Sequence, residues 1–545
     1  MKTSRSFRAS FLLAALVGHG PALVWAQGDA AIDDASVARV IVKFRVDSSL
    51  LDRGALAAAA VPAARAAALG LRLALPMSAG GAVSDQSQVV FAAGVTSAEL
   101  AERLAKQSDV EYAVPDERRR TVTAPRDPLY AAGVQGSGPA LGQWYLRAPS
   151  GEIQSSLNVE EAWAATTGSP EIVVAVVDTG ARFEHPDLLA VAVGGNLLPG
   201  YDMVSDAAAA NDGDGRDADA SDPGDWVTRA EISQHGSSLF RCATSPENSS
   251  WHGTQLSGLI AALTDNGIGM AGAAPSVRVL PVRVIGKCGG YDSDIIAGMR
   301  WAAGLSVPGT PVNPYAARVI NLSLGGDGAC SAAYQQAVDK ITALGSVIVA
   351  AAGNSGHAVA QPANCAGVIA VAGLRHAGTK VGFSSLGPEV AISAPGGNCV
   401  NTDSGTPCLY PMLTTTDSGQ TGPVNSTYTD SFNVSVGTSF SAPLVAAVAA
   451  LTISARPTIT PQQVKELLQA TARPFPPLAS ITSSQAPQCT QPQYSLLGRP
   501  VDQQECYCTT TTCGAGMLDA GAAVSVAASG AIASPRAARG DGERP

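Results

Sequence analysis

The chain has 545 residues, 46% hydrophobic and only 15% charged, which is ample for a large core and too apolar for a disordered protein. That length exceeds the usual single domain and predicts one large domain with appendages. A net charge of -10 implies no basic face, so neither nucleic acid nor an anionic membrane is expected as a partner.

At the N-terminus, Lys2, Arg5 and Arg8 precede an apolar run at 11–17, and Val24-Trp25-Ala26 supplies small residues at the cleavage positions. Residues 1–26 therefore read as a secretory signal cut after Ala26, and a secreted protein is expected. The run is far shorter than the ~20 residues of a membrane-spanning helix. Val42-Lys43-Phe44-Arg45-Val46 alternates apolar and polar side chains as a half-buried strand does, and 88–92 and 110–114 are further strands. Between them the alanine-rich stretch 55–75 predicts a helix interrupted at Pro62, and 97–107 predicts a second helix opening at Ser97-Ala98-Glu99-Leu100. The result is a small α+β module ending near Arg118-Arg119-Arg120, followed by a linker at 121–126 that a protease could cut.

Beyond the linker, apolar runs at 172–177, 277–284, 319–322, 347–351 and 368–371 read as strands buried on both faces. Helical segments at 253–262, 295–303 and 332–344 lie between them. This alternation predicts a doubly wound α/β fold with a mostly parallel sheet and a site at the carboxyl ends of the strands, where Asp178 follows its strand directly. The run 444–453, just after Pro443, is too short to span a bilayer and predicts a buried core helix. Residues 528–545 read as a disordered tail; the Arg539-Gly540-Asp541 within it is a chance tripeptide in a polar segment.

Between 211 and 222 the carboxylates Asp212, Asp214, Asp217, Asp219 and Asp222 stand among small residues. Such a loop can wrap a hard cation through oxygen ligands, and structural calcium is the expected occupant. It is not an EF-hand, because no Glu closes a twelve-residue loop. Without a counter-ion these charges would repel one another.

The ten cysteines, an even count behind an export signal, point to disulfides. Cys399 and Cys408 are expected to pair by proximity, whereas Cys506 and Cys508 stand too close for an easy mutual bridge and should each pair elsewhere. Cys489, Cys506, Cys508 and Cys513 could alternatively hold a metal, but the C-x-x-C spacing of structural zinc sites is absent.

Three short motifs carry chemistry. Gly437-Thr438-Ser439-Phe440-Ser441-Ala442-Pro443 sets a serine ahead of an apolar run, where unpaired N–H groups and a helix dipole would stabilise an oxyanion. Val176-Val177-Asp178-Thr179-Gly180 and Ser250-Trp251-His252-Gly253-Thr254 offer an acid and a base upstream, in the order Asp, His, Ser. Singly, each has a bland reading: Asp178 as a turn residue, His252 as a structural imidazole, Ser439 as a helix cap. An esterase elbow, G-x-S-x-G, fails because Ser441 occupies the second glycine position.

Together the three motifs resemble the subtilisin-like serine peptidases, a likeness running from about residue 128 to 523, with 40–115 resembling the family's inhibitory propeptide. The resemblance implies an Asp178-His252-Ser439 triad, Asn354 as oxyanion donor, and a secreted endopeptidase acting on protein and peptide substrates. It also implies pocket walls at Ser323-Leu324-Gly325 and Ala351-Ala352-Gly353, and a substrate-binding edge at Gly289-Gly290-Tyr291. Small wall residues leave room for a medium or large side chain. Pairing of Cys242 with Cys288 and of Cys330 with Cys365 follows from the same likeness. The expected organisation is signal 1–26, propeptide 27–120 acting as an intramolecular inhibitor, catalytic domain 121–527 with a Cys-rich tail at 489–513, and the tail 528–545. A monomer without a catalytic cofactor completes the expectation.

Overall fold

The computed structural model of the chain describes residues 37–51, 61–116, 124–131, 141–398, 410–429, 436–478 and 486–530. The signal, Arg118-Arg119-Arg120, Cys399 with Cys408, and residues 531–545 lie outside the described residues. The chain divides into two compact units at residue 118.

The first unit runs β1 (Val37–Phe44), α1 (Val61–Leu73), β2 (Met77–Ser84), β3 (Ser87–Ala93), α2 (Ser97–Ala105) and β4 (Val110–Pro115). Its antiparallel sheet has the order β2-β3-β1-β4, a βαββαβ arrangement of the ferredoxin-like kind. Alternation along β1 buries Val40, Val42 and Phe44 against Ala66 and Leu69 of α1 and Leu100 and Leu104 of α2. The alternation expected through Val46 stops at Phe44, because the chain turns where Ser48 N–H meets the Arg45 carbonyl, and Val46 is exposed. Pro62 does not interrupt α1. It is the second residue of that helix, where its missing N–H would be unpaired anyway.

The second unit contains α3 (Pro128–Ala131), α4 (Val159–Trp163), β5 (Val173–Asp178), β6 (Tyr201–Asp202), α5 (Ala207–Ala210), α6 (Arg229–Ser233), α7 (His252–Ala261), β7 (Arg278–Arg283) and α8 (Asp292–Ala302). There follow β8 (Val319–Leu322), α9 (Ala332–Ala343), β9 (Val347–Ala351), β10 (Ile369–Leu374), β11 (Val390–Pro395) and the hairpin of β12 (Thr414–Asp417) with β13 (Ser426–Thr429). Last come α10 (Thr438–Ala455), α11 (Pro461–Thr471), the short pair β14 (Gln493–Tyr494) and β15 (Pro500–Val501), and α12 (Ala520–Ala528).

Seven strands form one parallel sheet in the order β11-β10-β9-β8-β5-β7-β6. From β5 the chain lays β6 at the edge and returns with β7 between them, then crosses back to lay β8 on the other side of β5. That reversal opens a crevice at the carboxyl ends of β5 and β8, where an open α/β sheet binds its ligands. Along β5, Val174 and Val176 face the layer holding α7 and α10, while Val173, Ala175 and Val177 face the layer holding α8 and α9.

Helix α10 is longer than the run 444–453 suggested and carries Pro443 inside it. Among the described residues it is the one helix long and apolar enough to cross a membrane, yet 83% of it is buried within the fold. Cys242–Cys288 and Cys330–Cys365 are disulfide-bonded as the resemblance implied. Cys489 pairs with Cys506 and Cys508 with Cys513, so the adjacent pair does bond elsewhere and these sulfurs are not metal ligands.

Leu451, fully buried in α10, leaves a cavity when truncated. Leu451→Ala is expected to lower the unfolding free energy by about 2–5 kcal/mol in chemical denaturation. A change below about 0.5 kcal/mol would contradict the packing described.

Candidate active site

Asp178 ends β5, and Gly180 turns the chain away with φ +98°. A Cβ on Gly253 would lie 2.1 Å from the Gly180 carbonyl oxygen, so α7 reaches this turn only because residue 253 has no side chain. The close approach delivers the residue before it. His252 Nδ1 lies 2.8 Å from Asp178 Oδ1, which also accepts the Thr179 N–H at 2.9 Å. A carboxylate facing Nδ1 holds the ring proton there and leaves Nε2 as the basic nitrogen. The Asp178 side chain is 2% exposed and that of His252 is 23% exposed, so only the base is open to a reactant.

Burial disfavours the imidazolium, but the charge and hydrogen bond of Asp178 outweigh it, and the His252 pKa rises above its ordinary value. Behind the pair, Thr179 Oγ1 donates to Asp222 Oδ2 at 2.7 Å and accepts the Gly253 N–H at 2.9 Å. Thr179 thereby ties α7 to the end of β5. Burial, then the charge of Asp225, pushes the Asp222 carboxyl up to about 7.

Ser439 lies in the first turn of α10, after Gly437 with φ +150°. Its Oγ donates to the Ser323 carbonyl at 3.1 Å, while Ser323 Oγ donates back to the Ser439 carbonyl at 2.7 Å. That carbonyl has no helical donor, since residue 443, four places on, is a proline. No hydrogen bond joins Ser439 to His252 in this structure; the His252 ring instead meets Phe440 edge-on, with centroids 5.9 Å apart. The imidazole thus stands beside the first turn of α10.

Asn354 follows β9, and its Oδ1 accepts both the Thr438 N–H at 2.9 Å and the Thr438 hydroxyl at 2.8 Å. A backbone N–H can only meet the amide oxygen, so Nδ2 is the end left as a donor. A Cβ on Gly437 would sit 3.3 Å from that Nδ2.

Ser323-Leu324-Gly325 and Ala351-Ala352-Gly353 leave neighbouring parallel strands, paired at Leu322 and Ala350, and so stand side by side at the same sheet edge. Gly289-Gly290-Tyr291 follows β7 and lines a hollow of about 270 Å³ with Asp206, Leu239 and Lys287, Tyr291 being 56% exposed.

Of the five carboxylates in the acidic run, four line one open pocket and Asp222 lies apart from them. Asp222 is bound to Thr179 in the site just described, and Asp212 is paired with the buried Arg283 at 2.6 Å. Among the described residues no three carboxylates bring their oxygens within 4.8 Å of one another. Asp212, Asp214, Asp217 and Asp219 line an open pocket of about 330 Å³, with oxygens directed by Asx turns such as Asp219 N–H to Asp217 Oδ1 at 2.8 Å. A second pair of carboxylates escaped the sequence reading. Asp127 and Asp187 are buried with raised pKa values, Asp187 to about 6, and Asp127 Oδ1 has no hydrogen-bond partner. Both sets suit a hard cation: the first by open carboxylates, the second by an orphaned buried oxygen.

The chain belongs to the Subtilase family, whose pattern matches residues 169–493. It is 39% identical over 423 residues to an extracellular protease of Xanthomonas campestris pv. campestris, covering 77% of this chain and 65% of that one. An extracellular basic protease of Dichelobacter nodosus is 38% identical over 68% of this chain and 56% of its own length. The chain thus spans less than two thirds of these two relatives. It covers 70% of subtilisin DY of Bacillus licheniformis at 39% identity. A solved protease from Pseudoalteromonas arctica shares 40% identity with a TM-score of 0.59, covering 74% of this chain and all of that one.

The raised His252 pKa means that the Asp178 contact stabilises the folded state fully below about pH 6.5 and that this contribution fades as pH climbs through the raised value. An NMR titration of the His252 ring should have its midpoint above about 6.5. In Asp178→Asn, where burial is opposed only by the charges of Asp225 and Asp222, the midpoint should fall below that of the parent; an unmoved midpoint would refute the coupling.

Proposed function

We propose that the chain is a secreted serine endopeptidase, with Ser439 as nucleophile, His252 as general base and acid, and Asp178 as the group that orients and stabilises the imidazolium. The observation that carries this reading is the 2.8 Å Asp178–His252 contact set beside the first turn of α10, where Ser439 lies. His252 Nε2 takes the Ser439 proton as Oγ attacks the scissile carbonyl, then returns it to the leaving amine as the acyl-enzyme forms. Water, deprotonated by the same nitrogen, releases the acid product. The oxyanion meets two donors, Asn354 Nδ2 and the Ser439 N–H at the positive end of α10. An extended peptide lies as an added strand along residues 323–325 and 289–291, with its side chain between the walls at 323–325 and 351–353. No catalytic cofactor is needed.

The first unit acts as the chain's own inhibitor and folding aid, supported by its separate core and ferredoxin-like arrangement. Cutting near 118–126 releases it, and residues 1–26 direct export. Calcium is structural, held by Asp212, Asp214, Asp217 and Asp219 in the open loop and by Asp127 and Asp187 in the buried pair. Its role is to neutralise carboxylates that would otherwise repel one another.

Three outcomes test this. Ser439→Ala should abolish hydrolysis of casein and of a peptidyl p-nitroanilide; residual turnover at parental rate would end the proposal. Asn354→Ala should fold normally and lower kcat by about 10²–10³. Excess chelator should lower the melting temperature of the Ser439→Ala protein, and an unchanged Tm would remove calcium from the account.

A further inference from the structure

Lys380 is fully buried, and the described structure places no carboxylate oxygen against its ammonium. Instead Nζ faces four backbone carbonyls, those of Val381 at 3.1 Å, Gly382 at 3.0 Å, Ser384 at 2.9 Å and Gln503 at 2.7 Å. The nearby Glu505 is occupied by Arg375 and by the Thr379 hydroxyl. An ion removed from water is costly unless its donors are all met, so this cage is a built feature. The four carbonyls come from two separate pieces of chain. Three belong to the loop 381–384, and the fourth belongs to the segment closed by Cys489–Cys506. Lys380 N–H also donates to the Cys506 carbonyl at 2.9 Å.

Those two pieces are the jaws that hold the chain around Asn354. Ser385 N–H donates to the Gly353 carbonyl at 2.9 Å, and Ser385 Oγ accepts the Ser355 N–H at 3.4 Å. Gly356 N–H donates to the Phe383 carbonyl at 2.8 Å, and Gln503 N–H donates to the Gly356 carbonyl at 2.7 Å. Residues on both sides of Asn354 are therefore gripped by segments that a single ammonium joins. An oxyanion donor misplaced by about 1 Å loses much of its effect, because its worth depends on being fixed before the reaction begins.

We propose that Lys380 is a positioning residue for the oxyanion hole, its caged ammonium joining the 381–385 loop to the disulfide-closed 489–506 segment so that Asn354 is held in place. The inference rests on the reading of Asn354 as oxyanion donor. Lys380 touches no reactant itself.

The test is a double-mutant cycle with a peptidyl p-nitroanilide, active sites being counted by titration with a phosphonate. Lys380→Met, an unbranched side chain one atom shorter that lacks the charge and the donors, should lower kcat about 10-fold or more with KM nearly unchanged, as loss of a transition-state contact does. In an Asn354→Ala background the same change should cost less than about 3-fold, because the donor it positions is gone. Ser385→Ala loosens the grip on Ser355 without disturbing the buried charge. It should show the same pattern at smaller amplitude, and it carries the test if Lys380→Met does not fold. Equal losses of kcat in both backgrounds, or a loss confined to KM, would overturn the proposal. A parental kcat in Asn354→Ala alone would instead overturn the reading of Asn354, which the cycle separates from the role of Lys380.

Discussion

The site depends on one contact, the 2.8 Å hydrogen bond between Asp178 and His252, and on the backbone packing that permits it. The acid is fixed by the end of a strand buried on both faces. The base is fixed by a helix that approaches so closely that only glycine fits at 253. Thr179 fastens the two elements with one hydroxyl, accepting from α7 and donating to Asp222. The pair is rigid because the sheet, the turn and the helix cannot be separated without exposing the main core.

The proposed nucleophile, Ser439, reaches the same place by another route. Helix α10 passes through the core against β8 to β11, and its first turn emerges at the crevice left where the strand order reverses. Pro443 leaves the Ser439 carbonyl without a helical donor, and Ser323 takes it, so the helix start is tied to the strand that forms a pocket wall. Thr438 does the same for Asn354. The serine, the amide and the wall are thus one hydrogen-bonded assembly, while the acid and base are another. Catalysis in the proposed sense requires the Ser439 hydroxyl to leave the Ser323 carbonyl for the His252 imidazole.

Much of this was legible in the sequence because buried parallel strands are written as continuous apolar runs. Residues 172–177, 319–322 and 347–351 emerged close to their predicted places for that reason. Strand β2, with two glycines and little burial, had no such signature, and the two-residue strands had no room for one. The onset of α10 was hidden because Pro443 looked like a boundary, whereas a proline near a helix start is tolerated when a side chain satisfies the freed carbonyl. In the acidic run, composition indicated charge but not partners. Arg283, distant in sequence, claims Asp212, and Thr179 claims Asp222. Nothing local in the sequence announces the cage around Lys380, which is made partly by residue 503.

The central claim is that His252, held by Asp178, makes Ser439 more reactive than the other serines of the chain. Treatment with a fluorophosphonate followed by peptide mass spectrometry measures this directly. The account predicts one adduct, on the peptide bearing Ser439, which disappears when His252→Ala removes the base. Labelling spread over several serines, or undiminished in His252→Ala, would contradict it.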